Sequence, residues 1–268
     1  MMRRCPVSVL LPLFALLLAP PACVGTTGDQ VVDFEAAASG PADAITGQPL
    51  SFDASRGWRV TLTTARLHIG ALYLAESLPV SGAQATSCIL PGSYVAQVVQ
   101  GRDVDLLSSE PQSFPSLGRG TTLEARAGQV WLTGGDVNLA DVPSPPTLIL
   151  ELLGSAARGQ ELRPFAAKLT IAENRVDASG PAAGGSPICK ERIVSPIPTS
   201  IRVQNGGALW LRVDPRRLFT NVDFGALELE GEVYVFKDDS SDQPSANLYN
   251  NLKQGGPLYD FSWVAQLH

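Results

Sequence analysis

The sequence is poor in the side chains on which most enzymes and metal sites depend. Its histidines are His68 and His268, and its methionines are Met1 and Met2. Histidine changes its charge near neutral pH, so acid–base and metal chemistry commonly use it. The sequence also lacks a G-x-S-x-G elbow, an H-E-x-x-H pair, a Walker phosphate loop and a G-x-G-x-x-G turn. These absences favour a protein that is not an enzyme, in which His68 forms a hydrogen bond on a strand.

Charged residues are also scarce, and their balance is acidic. Asp, Glu, Lys and Arg make up 17% of the chain, against roughly 25% in ordinary soluble domains. The 20 basic and 26 acidic residues give a net charge of -6; a cleaved signal would remove Arg3 and Arg4, leaving 18 basic residues and a net charge of -8. An acidic chain has no electrostatic reason to bind nucleic acid. We therefore expect no nucleic-acid partner.

The N-terminal residues have the three parts of a bacterial export signal. Two arginines precede an apolar stretch from Val7 to Leu18, and small residues follow as far as Ala22. The apolar stretch is about 12 residues long, whereas a membrane-spanning helix needs roughly 20. Ala22 and Cys23 resemble the processing site of bacterial lipoproteins, in which the cysteine is lipidated and becomes the new N-terminus. The prediction is a signal peptide over residues 1–22 and a lipid anchor on Cys23.

The residues around the cysteine bear on the final location. Val24 stands where an aspartate commonly marks inner-membrane retention, so the resemblance favours the outer membrane. Pro20 and Pro21 depart from the usual lipoprotein pattern. Ordinary cleavage, with release into the periplasm or the medium, is therefore the alternative, and in either case the protein is exported.

Cysteine usage fits an exported protein. Cys5 leaves with the signal and Cys23 carries the lipid, so that Cys88 and Cys189 remain as a pair. An even pair in an oxidising compartment predicts a disulfide. Two independent buried thiols are the alternative. A metal site is the poorer interpretation, because neither cysteine has a second one at C-x-x-C spacing.

Alternating hydrophobicity predicts an all-β fold for most of the chain. Residues 23–50 are rich in small residues and indicate a flexible tether that ends in a first strand at QVVDFEA. Residues 51–268 are long enough for a single domain with a sizeable core. Apolar and polar residues alternate in GALELEGEVYVF, and TSIRVQNGGALWLRV alternates on both sides of an Asn-Gly-Gly turn, which predicts a hairpin. Around ten strands favour an antiparallel β-sandwich, Ig-like or jelly-roll-like.

The sequence predicts two short helices between the strands. VDPRRLF offers Asp214 as the N-cap and proline at the first helical position. PSANLYNNL offers Ser245 as the N-cap of one or two turns.

One β-prone run changes its hydrophobic phase twice. In GWRVTLTTARLHIGALYL the apolar residues occupy even positions as far as Leu62, odd positions from Ala65 to Ile69, and even positions again from Leu72. A one-residue slip turns every side chain to the other face of a sheet. The run therefore predicts a bulge, or two strands joined without a polar loop, with Gly70 at the second change.

Two tryptophans stand out because they lie on the parity opposite to the aliphatic residues of their strands. They are Trp131 in GQVWLT and Trp210 in GALWLRV. An outward tryptophan either contributes to an aromatic binding surface or lies beneath a covering loop. The first alternative makes Trp131 and Trp210 a candidate ligand surface for an envelope glycan or an envelope protein.

The loop KDDSSDQPSAN gathers four oxygen-bearing side chains, Asp238, Asp239, Asp242 and Asn247. Calcium prefers such ligands, but the spacing of a D-x-D-x-D-G loop is missing. A solvated loop between a strand and a helix is therefore the interpretation.

Three stretches carry a family resemblance: GWRVTLTTARLHIGALYL, LRVDPRRLFTNVDF and the closing YDFSW. They resemble the β-rich periplasmic or surface copper-associated proteins encoded beside methanobactin-type and di-haem partner systems. In that family tryptophan and histidine are implicated at copper, so the resemblance implies Trp58 and His68 as metal ligands here. The mature chain has no methionine, which excludes a methionine-rich Cu(I) site. Sequence analysis thus favours a non-catalytic binding or structural module without a cofactor, and periplasmic copper binding is the alternative.

Overall fold

The computed structural model describes residues 30–77, 93–132, 148–170, 193–254 and 256–267. These residues form sixteen β-strands in two sheets, three short 3₁₀ segments and one α-helix, which confirms the predicted all-β class. In this part of the chain no helix combines the length and the apolar character that crossing a membrane requires.

The predicted signal, lipid anchor and disulfide lie outside the described residues, as does His268. The cysteines concerned are Cys23, Cys88 and Cys189. Lipidation of Cys23 and pairing of the other two stay predictions.

The larger sheet has nine strands. They are β1 (Val31–Ser39), β4 (Ala71–Ala75), β5 (Tyr94–Val98), β7 (Gln112–Ser113), β8 (Gly118–Thr121), β9 (Glu124–Trp131), β12 (Ile193–Arg202), β13 (Ala208–Val213) and β16 (Tyr259–Val264). Their order across the sheet is β12-β9-β4-β5-β8-β1-β13-β16, and β7 pairs with β1.

The smaller sheet has seven strands. They are β2 (Leu50–Asp53), β3 (Arg59–Ile69), β6 (Arg102–Asp105), β10 (Leu148–Arg158), β11 (Glu161–Thr170), β14 (Glu228–Glu230) and β15 (Val233–Phe236). Their order is β14-β15-β11-β10-β3-β2, and β6 also pairs with β3. Most strand pairs are antiparallel, as predicted, but β1 with β13 and β11 with β15 are parallel.

The two sheets enclose one apolar core, to which both contribute. Aromatic rings fill much of it: the ring centroid of Phe165 lies 5.7 Å from that of Phe219, 5.2 Å from that of Phe224 and 5.8 Å from that of Phe236. Such edge and tilted contacts add to the free energy gained from burial alone. The core leaves one face of each sheet directed away from it.

Both predicted phase changes in the long β-prone run are confirmed. The register of β10 against β3 skips Thr63, because Leu153 pairs with Thr64 and Gly154 pairs with Leu62. This bulge is the first change. At the second, β3 ends, Gly70 follows, and β4 continues in the other sheet, where the Gly70 N–H donates to the Trp131 carbonyl at 2.8 Å.

The predicted hairpin around Asn205-Gly206-Gly207 is wrong, although the turn exists. Gly206 has φ of 77° and the Gly207 N–H donates to the Gln204 carbonyl at 3.4 Å. The strands then separate, since β12 pairs with β9 whereas β13 lies between β1 and β16. Pro196 and Pro198 remove two backbone donors from β12, as is typical of an edge strand.

The alternating segment GALELEGEVYVF is two strands rather than one. Gly231, with φ of 65°, turns the chain between β14 and β15, and Leu229 pairs with Tyr234. A two-residue turn preserves the alternation of apolar and polar residues, so the sequence pattern alone does not reveal the turn.

The first strand lies inside the folded domain rather than in a tether. β1 is in the interior of the nine-stranded sheet, between β8 and β13. Its side chains Val32, Phe34, Ala36 and Ala38 belong to the core. The folded domain therefore begins well before residue 51.

Both predicted helical segments form, with one change of cap. Pro215–Phe219 is a 3₁₀ segment whose N-cap Asp214 accepts from the Arg216 N–H. The α-helix α1 covers Gln243–Lys253 and its N-cap is Asp242, not Ser245. The Ser245 hydroxyl instead accepts from the Lys237 N–H at 2.8 Å, because the helix starts one turn earlier than the sequence indicated.

Candidate functional site

Trp210 is held rigidly on the outer face of the nine-stranded sheet. Leu209, Leu211 and Val213 face the core from β13, so the alternation of the strand turns Trp210 outward. Its indole N–H donates to the hydroxyl oxygen of Ser39 at 2.9 Å. Ser39, on β1, is fully buried and donates in turn to the Gly40 carbonyl at 3.0 Å. The half-buried ring therefore has a fixed orientation.

Arg212 stacks on this ring from the next outward position of β13. The centre of its guanidinium lies 4.3 Å from the Trp210 ring centroid, within the range of a cation–π interaction. Its Nε atom is buried and has no hydrogen-bond partner. A guanidinium that lies over an aromatic ring is preorganised to bind a carboxylate or a phosphate through two N–H groups. Trp210, Arg212 and Ser39 form what we call the Trp210 platform.

Sequence analysis missed two members of the platform. Arg212 could have been predicted from the sequence, because it stands two residues after Trp210 in a predicted strand and so shares its face. Ser39 could not, because the parallel pairing of β1 with β13 joins segments 171 residues apart. Asp260, exposed on β16, is the cross-strand neighbour of Arg212.

Trp131 also faces away from the core, but it is covered, with 2% of its surface exposed. It belongs to an outer aromatic cluster with Tyr73, Tyr94 and Gln129. The Tyr73 ring lies 4.8 Å from Trp131 and 4.6 Å from Tyr94. The Gln129 side-chain oxygen accepts from the Trp131 indole at 3.2 Å and from the Tyr94 hydroxyl at 3.0 Å. These rings are satisfied and enclosed rather than open to a ligand.

Burial also affects the acid–base behaviour of this cluster. The pKa of Tyr94 is raised, mainly by burial and further by the neighbouring Tyr73, while the hydrogen bond to Gln129 acts in the opposite direction. Tyr94 is therefore a neutral hydrogen-bond donor at physiological pH.

The structure does not bring Trp131 and Trp210 together. Trp131 lies on β9 and Trp210 on β13, and four strands separate β9 from β13 in the order of the sheet. Of the two residues predicted for a ligand surface, Trp210 alone combines an outward position with partial exposure.

Trp58 and His68, the residues that the resemblance implies at copper, lie at opposite ends of β3. They are ten positions apart along an extended chain, which is about 30 Å. Trp58 is fully buried, and the Arg158 guanidinium lies 4.3 Å above its ring. The two side chains therefore cannot bind one ion together.

The carboxylate of Asp223 lies beside Trp58. Burial acts to raise the pKa of Asp223, but hydrogen bonding to the Gly225 N–H and the charge of Arg56 act against burial and lower it. Arg56 Nη1 lies 3.0 Å from Asp223 Oδ2. These contacts tie the segment around Gly225 to the start of β3, which indicates a structural role for Trp58.

His68 does form the hydrogen bond that was expected of it. Its Nδ1 atom lies 2.7 Å from Asp103 Oδ1, across the pairing of β3 with β6. The His68 side chain is 27% exposed and that of Asp103 is 80% exposed. The described residues contain no group of three or more His, Cys, Asp and Glu side chains that could hold a metal ion.

The acidic loop after β15 is occupied by local hydrogen bonds. Asp238 accepts from the backbone and the hydroxyl of Thr170, at 2.8 and 2.6 Å. Asp239 accepts from the Ser241 N–H, and Asp242 caps α1. The carboxylates point to separate partners, which supports a structured loop rather than a calcium site.

A polar cavity of about 600 Å³ lies between β2 and the 3₁₀ segment Pro215–Phe219. Arg216 lines it, and hydrogen bonding to Asp214 is the main cause that raises the pKa of Arg216. Arg216 also contacts Asp43 at 2.8 Å. Because its guanidinium is already paired with two carboxylates, the cavity is a weaker ligand site than the Trp210 platform.

Comparison with known proteins adds little to this picture. The sequence matches no protein-family model, and no curated protein is similar to it. Among solved structures, the chain is similar to MbnP from Methylosinus trichosporium, with 13% sequence identity and a TM-score of 0.40 over 87% of this chain and 98% of that chain.

Proposed function

We propose that this protein is a non-catalytic binding module of the bacterial cell envelope, exported by its signal and held at the outer membrane by lipid on Cys23. Its ligand site is the Trp210 platform. The observation that supports this is the stack of Arg212 on a tryptophan whose orientation Ser39 fixes. A preorganised surface loses little conformational entropy when it binds.

The ligand class follows from the chemistry of the platform. An indole offers an apolar surface on which a sugar ring can lie, and a guanidinium binds carboxylates and phosphates. An acidic glycan has both features, whereas a neutral glycan has only the first. We therefore assign an acidic envelope polysaccharide as the ligand. The contact that recognises it is local, between a sugar carboxylate and the Arg212 guanidinium, and it acts against the net negative charge of the chain, which disfavours long-range attraction of polyanions such as nucleic acid.

Binding to immobilised polysaccharides tests this proposal. The probes are polygalacturonate, which is acidic, and dextran, which is neutral. We expect the protein to bind polygalacturonate and not dextran, and we expect Trp210→Ala and Arg212→Gln each to weaken binding at least tenfold. Arg126→Gln, at an exposed arginine of β9, is the matched control and should bind like the wild type. Equal binding of all four proteins would refute the platform as the site.

Copper binding is the second candidate, and one observation favours it. Asp103 is hydrogen-bonded to Nδ1 of the His68 ring. Metal-binding histidines are commonly oriented in this way, by a carboxylate on the ring nitrogen that does not bind the metal. Trp58 cannot supply the second ligand because it lies at the other end of β3. Native mass spectrometry with added Cu(II) tests the proposal: one copper retained by the wild type and lost in His68→Ala supports it, and no retained copper rejects it.

A further inference from the structure

The outer face of the seven-stranded sheet carries a row of four charges of alternating sign. Asp105 on β6 is paired in register with Arg66 on β3, Arg66 with Glu151 on β10, and Glu151 with Lys168 on β11. All four side chains point away from the core, because Val104, Leu67, Leu150 and Leu169 face it from the same strands. We call this row the charge ladder.

Next to the charge ladder, the outward positions of β10 and β11 form a band without charge on the same face. Its side chains are hydroxyl-bearing or apolar, and two are exposed leucines, Leu153 at 39% and Leu162 at 65%. Ser155, Pro164 and Ala166 lie among them on the paired strands β10 and β11. A sheet face without charge is suited to packing against another sheet.

The order of the charges in the ladder indicates which partner would pack on this face. Read from β6 to β11 the signs are minus, plus, minus, plus, and read backwards they are plus, minus, plus, minus. A two-fold axis parallel to the strands, between β3 and β10, would place Arg66 against Glu151 of a second copy and Asp105 against Lys168 of that copy. A partner whose facing charges all have one sign would instead meet two like charges. The ladder is thus complementary to itself.

The area of the face is that of a small interface. The strands that face each other across this axis are β2, β3, β6, β10 and β11; their 40 residues, at a strand spacing of about 4.8 Å and about 3.3 Å per residue, make a face of roughly 600 Å². A standard protein–protein interface buries about 800 Å² on each partner. We propose that this face is a two-fold interface between two copies of the chain, with the uncharged bands packed together and the charge ladders paired.

Sedimentation velocity from 1 to 200 µM tests the proposal, on the full chain carrying Cys23→Ser so that no lipid contributes to association. We expect the protein with an unchanged charge ladder to form a dimer, and we expect higher salt to weaken the dimer because salt screens exposed charges. Leu153→Glu, which buries a charge in the uncharged band, should weaken the dimer at least tenfold. Arg126→Glu, on the other sheet, is the control and should leave the dimer unchanged.

Two reversed ladders make the test specific to this geometry. Arg66→Glu with Lys168→Glu makes the ladder entirely acidic, and Asp105→Lys with Glu151→Lys makes it entirely basic. Each variant alone should be monomeric while its circular dichroism shows the wild-type fold, and a mixture of the two should form a heterodimer. A wild-type ladder that stays monomeric at 200 µM, or a mixture that stays monomeric while the wild type dimerises, would overturn the proposal.

Discussion

At the scale of single residues, this protein uses its tryptophans in three different ways. Trp58 is a core residue beneath a guanidinium, Trp131 is enclosed in the outer aromatic cluster, and Trp210 is a half-exposed ring held by Ser39. The side of the strand on which each ring lies was readable from parity. Whether an outward ring is covered was not, because covering depends on residues distant in the sequence.

The buried position of Trp58 leads to a prediction about stability. Trp58→Ala should reduce the free energy of unfolding by about 3–5 kcal/mol, because it leaves a large cavity and removes the ring beneath Arg158. Urea denaturation measures the change. Trp210→Ala is the comparison, and it should cost clearly less since that ring is only half-buried. Equal losses would contradict the different roles assigned to the two rings.

At the scale of elements, local patterns predicted the path of the chain better than its pairings. The phase changes around Thr63 and Gly70 were readable because a strand with one buried face shows its register in its own sequence. The prediction of a hairpin at Asn205-Gly206-Gly207 was wrong, because a turn signal shows that the chain reverses but not which strand pairs with which. The parallel pairing of β1 with β13, on which the Trp210 platform depends, has no local signal at all.

The bulge in β3 gives a sharp prediction at this scale. Deleting Thr63 would turn Ala65, Leu67 and Ile69, which are all buried, toward solvent or force β3 out of register. The deletion variant should therefore show no cooperative thermal unfolding by circular dichroism. Thr63→Ala keeps the residue count and should unfold cooperatively close to the wild type. A deletion variant that melts like the wild type would show that the bulge does not set the register.

At the scale of the whole molecule, the sequence predicts two covalent features that suit an exported protein. The first is the disulfide predicted between Cys88 and Cys189, whose closed loop of about 100 residues is worth roughly 4–5 kcal/mol in the chain-entropy model. Mature protein unfolded in denaturant should show no reactive thiol before reduction and two after it. Two thiols that react without reduction would show that Cys88 and Cys189 are independent cysteines and not a disulfide.

The second predicted feature is the lipid anchor on Cys23. Intact mass of the protein from a bacterial host should show a diacylglycerol-sized increment that disappears in Cys23→Ala. A cleaved mass without the increment would instead make the protein a periplasmic or secreted one, with the same folded domain and the same platform.

The central claim is that Trp210 and its neighbours receive the ligand, and one spectrum tests it most directly. The chain has four tryptophans, Trp58, Trp131, Trp210 and Trp263, so a ¹⁵N-labelled sample gives up to four indole N–H signals, and Trp210→Phe identifies the one of interest. During titration with an acidic oligogalacturonide, we predict that the Trp210 signal shifts while those of Trp58 and Trp131 stay in place. Saturable binding that leaves the Trp210 signal unmoved would contradict the account.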